Sequence, residues 1–306
     1  MKHIFIVNPM SGQGDESKKL IDELGKRKLD CYVTKEPGDG ANHIRQTCKR
    51  NLSEPIRFYS CGGDGTFNEV VNGAFGFINA EVAVMPTGSG NDFIKNFAVP
   101  LGHFKDIDKQ LSGSAVTIDL IRYQDTAEGS EAKYAANMFN IGFDCNVVVK
   151  MAAVKKYPFV RGSLAYLLSI LLTLIKKDGA DLIIDFEDGT SHRGYVFLTA
   201  IGNGAFCGGG LKGMPRANLK DGLMDICIVQ NVSRRMVIPL LPKYANGTHL
   251  EDQKLKDYIL YKQCKSFTIR GFEDRWNLCV DGDVKTVGKT RFDIVPDAIK
   301  FSLPSL

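Results

Sequence analysis

The sequence contains no Cys-x-x-Cys pair, although it has eight cysteines (Cys31, Cys48, Cys61, Cys145, Cys207, Cys227, Cys264 and Cys279). That spacing argues against zinc ribbons and thioredoxin-like redox chemistry. Thiols inside apolar, strand-like runs are the usage of a reducing compartment, so a cytoplasmic protein with buried cysteines is expected. There is no apolar run of the ~20 residues that a membrane-spanning helix needs. The longest candidate, Ser163 to Ile175, has an apolar core of about 13 residues and ends in Lys176-Lys177; it reads as a buried helix or as an apolar lip for a lipid. The start, Met1 to Val7, is too short to be a signal peptide and reads as a first strand. Strong charge is also lacking. A net charge of +4 over 306 residues does not argue for nucleic acid and suits an anionic membrane surface or a phosphorylated substrate. No Walker A sequence and no His-Arg-Asp kinase loop is present, which disfavours those kinase classes. Repeats and low-complexity tracts are missing too.

What is present is glycine in two clusters. Ile56 to Cys61 reads as a buried strand running into Gly62-Gly63-Asp64-Gly65-Thr66, with Thr66 expected to cap a helix carrying Phe67, Val70, Val71 and Ala74. Strand, glycine turn and helix N-terminus together make an anion site, where missing side chains let a phosphate reach the backbone amides. Asp64 would repel phosphate unless a cation lay between them, so it implies Mg²⁺. A second strand, Glu81 to Met85, leads into Pro86-Thr87-Gly88-Ser89-Gly90-Asn91. Two such turns at successive strand ends suit an open α/β sheet that binds a nucleotide beyond its carboxyl edge.

In order, Ile4 to Val7 is a strand, Asp15 to Arg27 a helix with Leu20, Ile21 and Leu24 inward, Asp30 to Thr34 a strand and Asp39 to Arg50 a helix. This is a βαβαβ run with a parallel sheet covered on both faces. Thr34 falls on the same edge as the glycine turns. After about residue 113 the pattern turns to β: Val116 to Tyr123, a polar hairpin or linker from Asp125 to Lys133, then Tyr134 to Asn140, Asp181 to Phe186, Gly194 to Ile201, Leu223 to Val229, Ser266 to Arg270, Trp276 to Val280 and Phe292 to Val295. Such spacing predicts an antiparallel sandwich. The boundary is placed near residue 123, giving a nucleotide-binding domain over 1–123 and a β-sandwich substrate domain over 124–306, whose last residues are open to a return to the first domain.

Several motifs fall in one order: Asn8-Pro9-x-Ser11-Gly12, Gly62-Gly63-Asp64-Gly65-Thr66-x-Asn68-Glu69, Pro86 to Phe93, Asn203-Gly204 with Gly208-Gly209-Gly210, Asp221-Gly222-Leu223-x-Asp225, and Asp281-Gly282-Asp283. With them the chain resembles the bacterial diacylglycerol kinase-like lipid kinases, relatives of the sphingosine kinases and more distantly of the NAD kinases. The resemblance implies an NAD kinase-like α/β domain followed by a β-sandwich, with the active site between them. It implies transfer of the ATP γ-phosphate to the hydroxyl of a lipid such as diacylglycerol, in phospholipid metabolism, by a protein peripheral to the inner membrane surface and compatible with a homodimer. ATP contacts carried over by position are Asn8, Pro9, Ser11, Gly12, Thr34, Gly62, Gly63, Asp64, Gly65, Thr66, Asn68 and Thr87, in a second turn that continues through Gly88, Ser89, Gly90 and Asn91. A structural Mg²⁺ is implied at the Asp221 carboxylate with main-chain oxygens of Asn218 and Leu223; alone, Asp221-Gly222 reads as a hairpin turn.

The family's C-terminal Asp-Gly-Glu stands here as Asp281-Gly282-Asp283, one methylene shorter at its end. Strand alternation would put both carboxylates on one face, where two acids share a proton. Asp283 is taken as the proton acceptor and Asp281 as the group that orients it, with Asp64 the third acid of the site. Lys95 stands where many members carry an arginine. The competing readings are an NAD kinase-like small-molecule kinase, and a member that binds nucleotide or lipid without turnover.

Overall fold

The computed structural model describes residues 1–12, 15–127, 129–154 and 179–306. The Ser163 to Ile175 stretch lies outside the described residues. The first half alternates strand and helix: β1 (Lys2–Val7), α1 (Asp15–Lys26), β2 (Asp30–Val33), α2 (Asp39–Arg50), β3 (Ile56–Gly62), α3 (Asp64–Ala74) and β4 (Ala80–Pro86). The strands pair in parallel in the order β2-β1-β3-β4. Alternation sorts their side chains onto two buried faces. Ile4, Ile6, Phe58, Val82 and Val84 pack with Ile44 of α2 and Phe67, Val70 and Val71 of α3. Phe5, Val7, Tyr59, Cys61 and Met85 pack with Leu24 of α1 on the other side, where Leu20 and Ile21 are partly buried. A 3-10 turn (Phe93–Asn96) and two short helices, α4 (Leu101–Lys105) and α5 (Ile107–Leu111), follow β4.

The second half is an antiparallel β-sandwich: β5 (Ser114–Asp125), β6 (Lys133–Ala135), β7 (Met138–Gly142), α6 (Phe143–Val154), β8 (Ala180–Phe186), β9 (Ser191–Gly202), β10 (Met224–Gln230), α7 (Arg234–Asn246), β11 (Ile259–Cys264), β12 (Ser266–Gly271), β13 (Trp276–Val280), β14 (Asp283–Val287) and β15 (Thr290–Leu303). Its interior holds Ile121, Phe139, Ile184, Ile226, Phe267, Leu278 and Phe292. A further apolar layer joins the sheet to Phe143 and Val147 of α6 and to Val237, Leu240 and Tyr244 of α7.

Several expectations shift. The strand read over Tyr134 to Asn140 is two strands, β6 and β7, parted at Ala136-Asn137, where the Asn137 main-chain oxygen accepts from the amides of Asn203 and Gly204 instead of from a sheet neighbour. The polar stretch from Asp125 joins antiparallel β5 and β6, and so is a hairpin. The short Phe292 to Val295 strand is one part of the 14-residue β15. A bulge between Val295 and Ile299, containing Pro296 and the left-handed Asp297 (φ 48°), breaks its alternation. Before the bulge β15 pairs with β12; after it, Lys300 and Phe301 pair in parallel with Glu81 and Val82 of β4. β5 follows β15 on both sides of the bulge. Buried Asp119 of β5 pins it, its Oδ1 accepting from the Asp297 amide at 2.8 Å and its Oδ2 from the Gly222 amide at 2.8 Å.

Candidate functional site

The carboxyl edge of the parallel sheet collects the first motifs. Asn8 follows β1, and its Nδ2 donates to Thr66 Oγ1 at 3.1 Å while its Oδ1 accepts from the Met10 amide at 2.9 Å. Thr66 therefore does not cap α3. The helix begins two residues earlier, at Asp64 with Gly63 in the cap position, and Thr66 is buried in its first turn. Thr34 lies at the end of β2 with its amide on the Val7 carbonyl at 2.9 Å. Ser11 is buried beside the left-handed Gly12 (φ 64°).

The second glycine turn is built onto the first. The amides of Thr87 and Gly88 both donate to the Gly62 carbonyl at 3.1 Å. A Cβ on Gly88 would lie 2.4 Å from Gly63 Cα, and one on Gly12 would lie 2.4 Å from the Thr87 carbonyl oxygen. Contact between the turns, rather than approach of a phosphate, excludes side chains there. Gly65 differs: its nearest neighbour would be Asp283 Oδ2 at 3.6 Å, an ordinary contact. Thr87 Oγ1 and Asn91 Oδ1 are buried with no hydrogen-bond partner in the described structure. The orphaned Thr87 hydroxyl, the open Gly65 and the start of α3 fit a polyphosphate, whereas Asn91 Oδ1 can only accept a hydrogen bond.

Asp64 is half-buried, and its Oδ1 accepts from the amides of Asp92 at 2.7 Å and Phe93 at 3.2 Å. It holds the start of the 3-10 turn against α3. Burial first, and then the Asp92 charge, push its proton affinity up. Oδ2 is left for a cation. Lys95 pairs with Asp92 at 2.7 Å, and Asp92 Oδ2 accepts from the Gly209 amide at 2.8 Å, so this lysine serves the seam between the halves. Asn96 continues that seam, its Oδ1 accepting from the Ala205 amide at 2.7 Å.

The sandwich meets this edge through the β13–β14 turn. Asp281 (φ 46°) and Gly282 (φ 94°) are both left-handed, the backbone of a two-residue hairpin turn that Asp-Gly favours. Asp281 thus lies in the turn while Asp283 opens β14, and the single-strand alternation expected for them does not apply. Asp281 Oδ1 accepts from the Met138 amide at 2.9 Å, and Oδ2 accepts from Asn68 Nδ2 at 3.1 Å. Burial raises the Asp281 carboxyl to about 7, with the Asp64 charge adding to the rise and the two hydrogen bonds and Lys285 opposing it. Asp283 is exposed, its carboxylate facing Gly65. The structure so brings Gly65, Asn68, Asp281 and Asp283 together. Asn68, expected on the nucleotide, spends its amide on Asp281 and on the Tyr134 carbonyl at 3.1 Å.

Among the described residues, no group of three or more His, Cys, Asp and Glu side chains converges as a metal centre. The Asn218–Leu223 loop offers oxygen only. Asn218 Oδ1 accepts from the Lys220 amide and Asp221 Oδ1 from the Leu223 amide, which leaves the second Asp221 oxygen and main-chain oxygens other than that of Leu219, which accepts from the Asp119 amide at 2.8 Å. That donor chemistry fits a hard cation. Sequence reasoning missed Asp92, Asp119, Tyr123 and Lys285. Asp92 lies inside the quoted Pro86 to Phe93 motif, but its role, like those of Asp119, Tyr123 and Lys285, depends on partners far away in the chain.

Residues 2–123 match the model of the diacylglycerol kinase catalytic domain, and residues 137–302 match the YegS C-terminal NAD kinase beta sandwich-like domain. A Bacillus subtilis relative, YtlR, whose name assigns it provisionally as a lipid kinase, is 31% identical over 287 residues, covering 87% of this chain and 91% of the relative. A diacylglycerol kinase of Staphylococcus carnosus is 28% identical over 285 residues, covering 91% and 87%. A crystal structure of a diacylglycerol kinase from Bacillus anthracis shares the fold, with a TM-score of 0.67 at 20% identity over 98% of this chain and 96% of that one. The chain belongs to the diacylglycerol kinase-like lipid kinase family and is a phosphotransferase.

Proposed function

We propose that this family member transfers the γ-phosphate of Mg-ATP to the free hydroxyl of a lipid such as diacylglycerol, with Asp283 taking the hydroxyl proton. The observation that carries the reading is the approach of Asp283 Oδ2 to Gly65 in the first turn of α3. A carboxylate on the sandwich stands over the helix N-terminus that fits a phosphate, so donor and acceptor sites share one gap.

When bound, ATP supplies the phosphoryl group and Mg²⁺ offsets its charge. The chain's own part is positioning. The amides at the start of α3 and the Thr87 hydroxyl hold phosphate oxygens. Asp64 keeps the second glycine turn in register with the first, and its Oδ2 would help to hold the Mg²⁺. Asp281, clamped by Asn68 and Met138, fixes the turn that aims Asp283. Asp283 accepts the proton as the hydroxyl attacks. A structural Mg²⁺ on Asp221 and the carbonyls of Asn218 and Leu223 would brace the loop that Asp119 ties to β15. Domain limits at residue 123, with β15 shared, are part of this reading. No helix among the described residues is long and apolar enough to cross a membrane, and the net charge of +4 supports peripheral contact with an anionic bilayer.

The test is transfer of labelled γ-phosphate to diacylglycerol and other lipid alcohols in mixed vesicles, with NAD as the competing acceptor. Labelled phospholipid is expected with the wild type and a fall in kcat on the order of 10²-fold in Asp283→Asn, with ATP affinity retained. Labelling of NAD alone, or unchanged turnover in Asp283→Asn, overturns the reading.

A further inference from the structure

Beside the acidic turn lies a basic group that no motif includes. Lys285 stands two residues after Asp283 on β14, on the same face of the strand. Its Nζ donates to the Tyr123 hydroxyl at 3.0 Å and lies 5.7 Å from the centre of that ring. Tyr123 is buried on β5, packed edge-on against Phe139. The hydroxyl is therefore a fixed perch for the ammonium. Among the described residues Lys285 makes no ion pair, and the Tyr123 hydroxyl takes one of its three protons.

We propose that Lys285, perched on Tyr123, is the counter-charge of the Asp281–Asp283 carboxylates and a positioning residue for proton removal. The inference rests on the lipid-kinase reading of the same site. Around Asp281, among the described residues, α3 brings the Asp64 charge and the Asn68 amide, β7 the Met138 amide and β14 the Lys285 charge, while the Tyr123 hydroxyl of β5 feels the charges of both Asp281 and Asp283. Lys285 is the cation of this set. The Tyr123 hydroxyl is held protonated by burial first and then by the Asp281 and Asp283 charges, so it accepts from the ammonium without competing for its charge. A lysine on a hydroxyl keeps its full positive charge, whereas one paired to a carboxylate would be neutralised locally.

The measurement is a carboxyl carbon NMR titration of aspartate-labelled protein without substrate, with the Asp281 signal assigned by its loss in Asp281→Asn. In Lys285→Met the Asp281 midpoint is expected to rise by about one pH unit, the low end of what a neighbouring opposite charge supplies. Lys285→Arg should keep the wild-type midpoint, and Tyr123→Phe should move it part of the way. The acid limb of kcat against pH should follow the same order. An unmoved midpoint in Lys285→Met, or in Lys285→Gln if the first variant does not fold, overturns the inference. The titration needs no turnover, so a wild-type protein that phosphorylates no lipid would sink the kinase reading and leave this one to be judged by the midpoint.

Discussion

Asn68 Nδ2 lies 3.1 Å from Asp281 Oδ2, and that one hydrogen bond joins the helix behind the glycine turn to the turn that carries the acidic motif. The two residues are 213 positions apart in the chain. Asn68→Ala is expected to lower stability by about 1–3 kcal/mol, because a partly buried carboxylate loses a donor. It should also raise the acid limb of the pH–rate profile, since the ionised form of Asp281 is then less favoured. Urea unfolding and the rate profile of the purified variant check both effects; a wild-type acid limb would refute the link.

A second expectation concerns stability against pH. The Asp281 carboxyl is raised to about 7 in the folded chain, above its ordinary value near 4 when unfolded. Between these values the folded state binds more protons, so stability falls as pH rises through that window. Asp281→Asn keeps an oxygen acceptor and cannot ionise. Its stability relative to wild type should therefore be higher at pH 8 than at pH 5. Denaturant curves at the two pH values read this directly, and a difference that is the same at both would contradict it.

Asp64 separates acceptor from charge. Asp64→Ala removes the oxygen that serves two amides and should cost about 1–3 kcal/mol. Asp64→Asn keeps an oxygen there and should unfold closer to wild type, yet lose phosphoryl transfer for want of the charge facing the cation. Parallel melting curves and transfer assays distinguish the pair; equal melting of the two variants would mean that the cap is not structural.

Glycines of the two clusters should answer differently to alanine. Gly88→Ala sets a methyl 2.4 Å from Gly63 Cα and must push the two turns apart, so loss of stability and of nucleotide binding is expected. Gly65→Ala meets no such backbone and sits in a helix, where alanine is favoured over glycine by about 0.5–1 kcal/mol. It should melt at or above the wild-type temperature while its turnover falls, because the methyl fills the gap toward Asp283. If Gly65→Ala turns over like wild type, that gap is not where the substrates meet.

The legible parts of this chain were those with short-range grammar. Strands β1 to β4 and helices α1 to α3 are punctuated by glycine turns and show clear apolar periods, and the ordered motifs carried the family. The two acids of the C-terminal motif were legible as residues but not as geometry: the Asp-Gly pair asks for a hairpin turn, and that turn takes Asp281 off the strand. Helix α7 was hidden by Pro239 and Pro242 inside it, and β15 by the bulge at Pro296 and Asp297. The role of Asp64 depends on a turn 28 residues on, and the perch of Lys285 on Tyr123 spans 162 residues. No window of sequence contains such pairs.

β15 has a consequence for how the molecule comes into being. Synthesis runs from the N-terminus, so β4 leaves the ribosome about 200 residues before the segment that will lie beside it, at synthesis rates of ~5–20 residues per second. Through that interval the α/β half carries an open edge on β4, which is a template for wrong partners. The strand that finally covers it also closes the sandwich through β12. Both halves therefore reach their finished form in the same late event, and the nascent chain has to be kept from aggregating until that strand arrives.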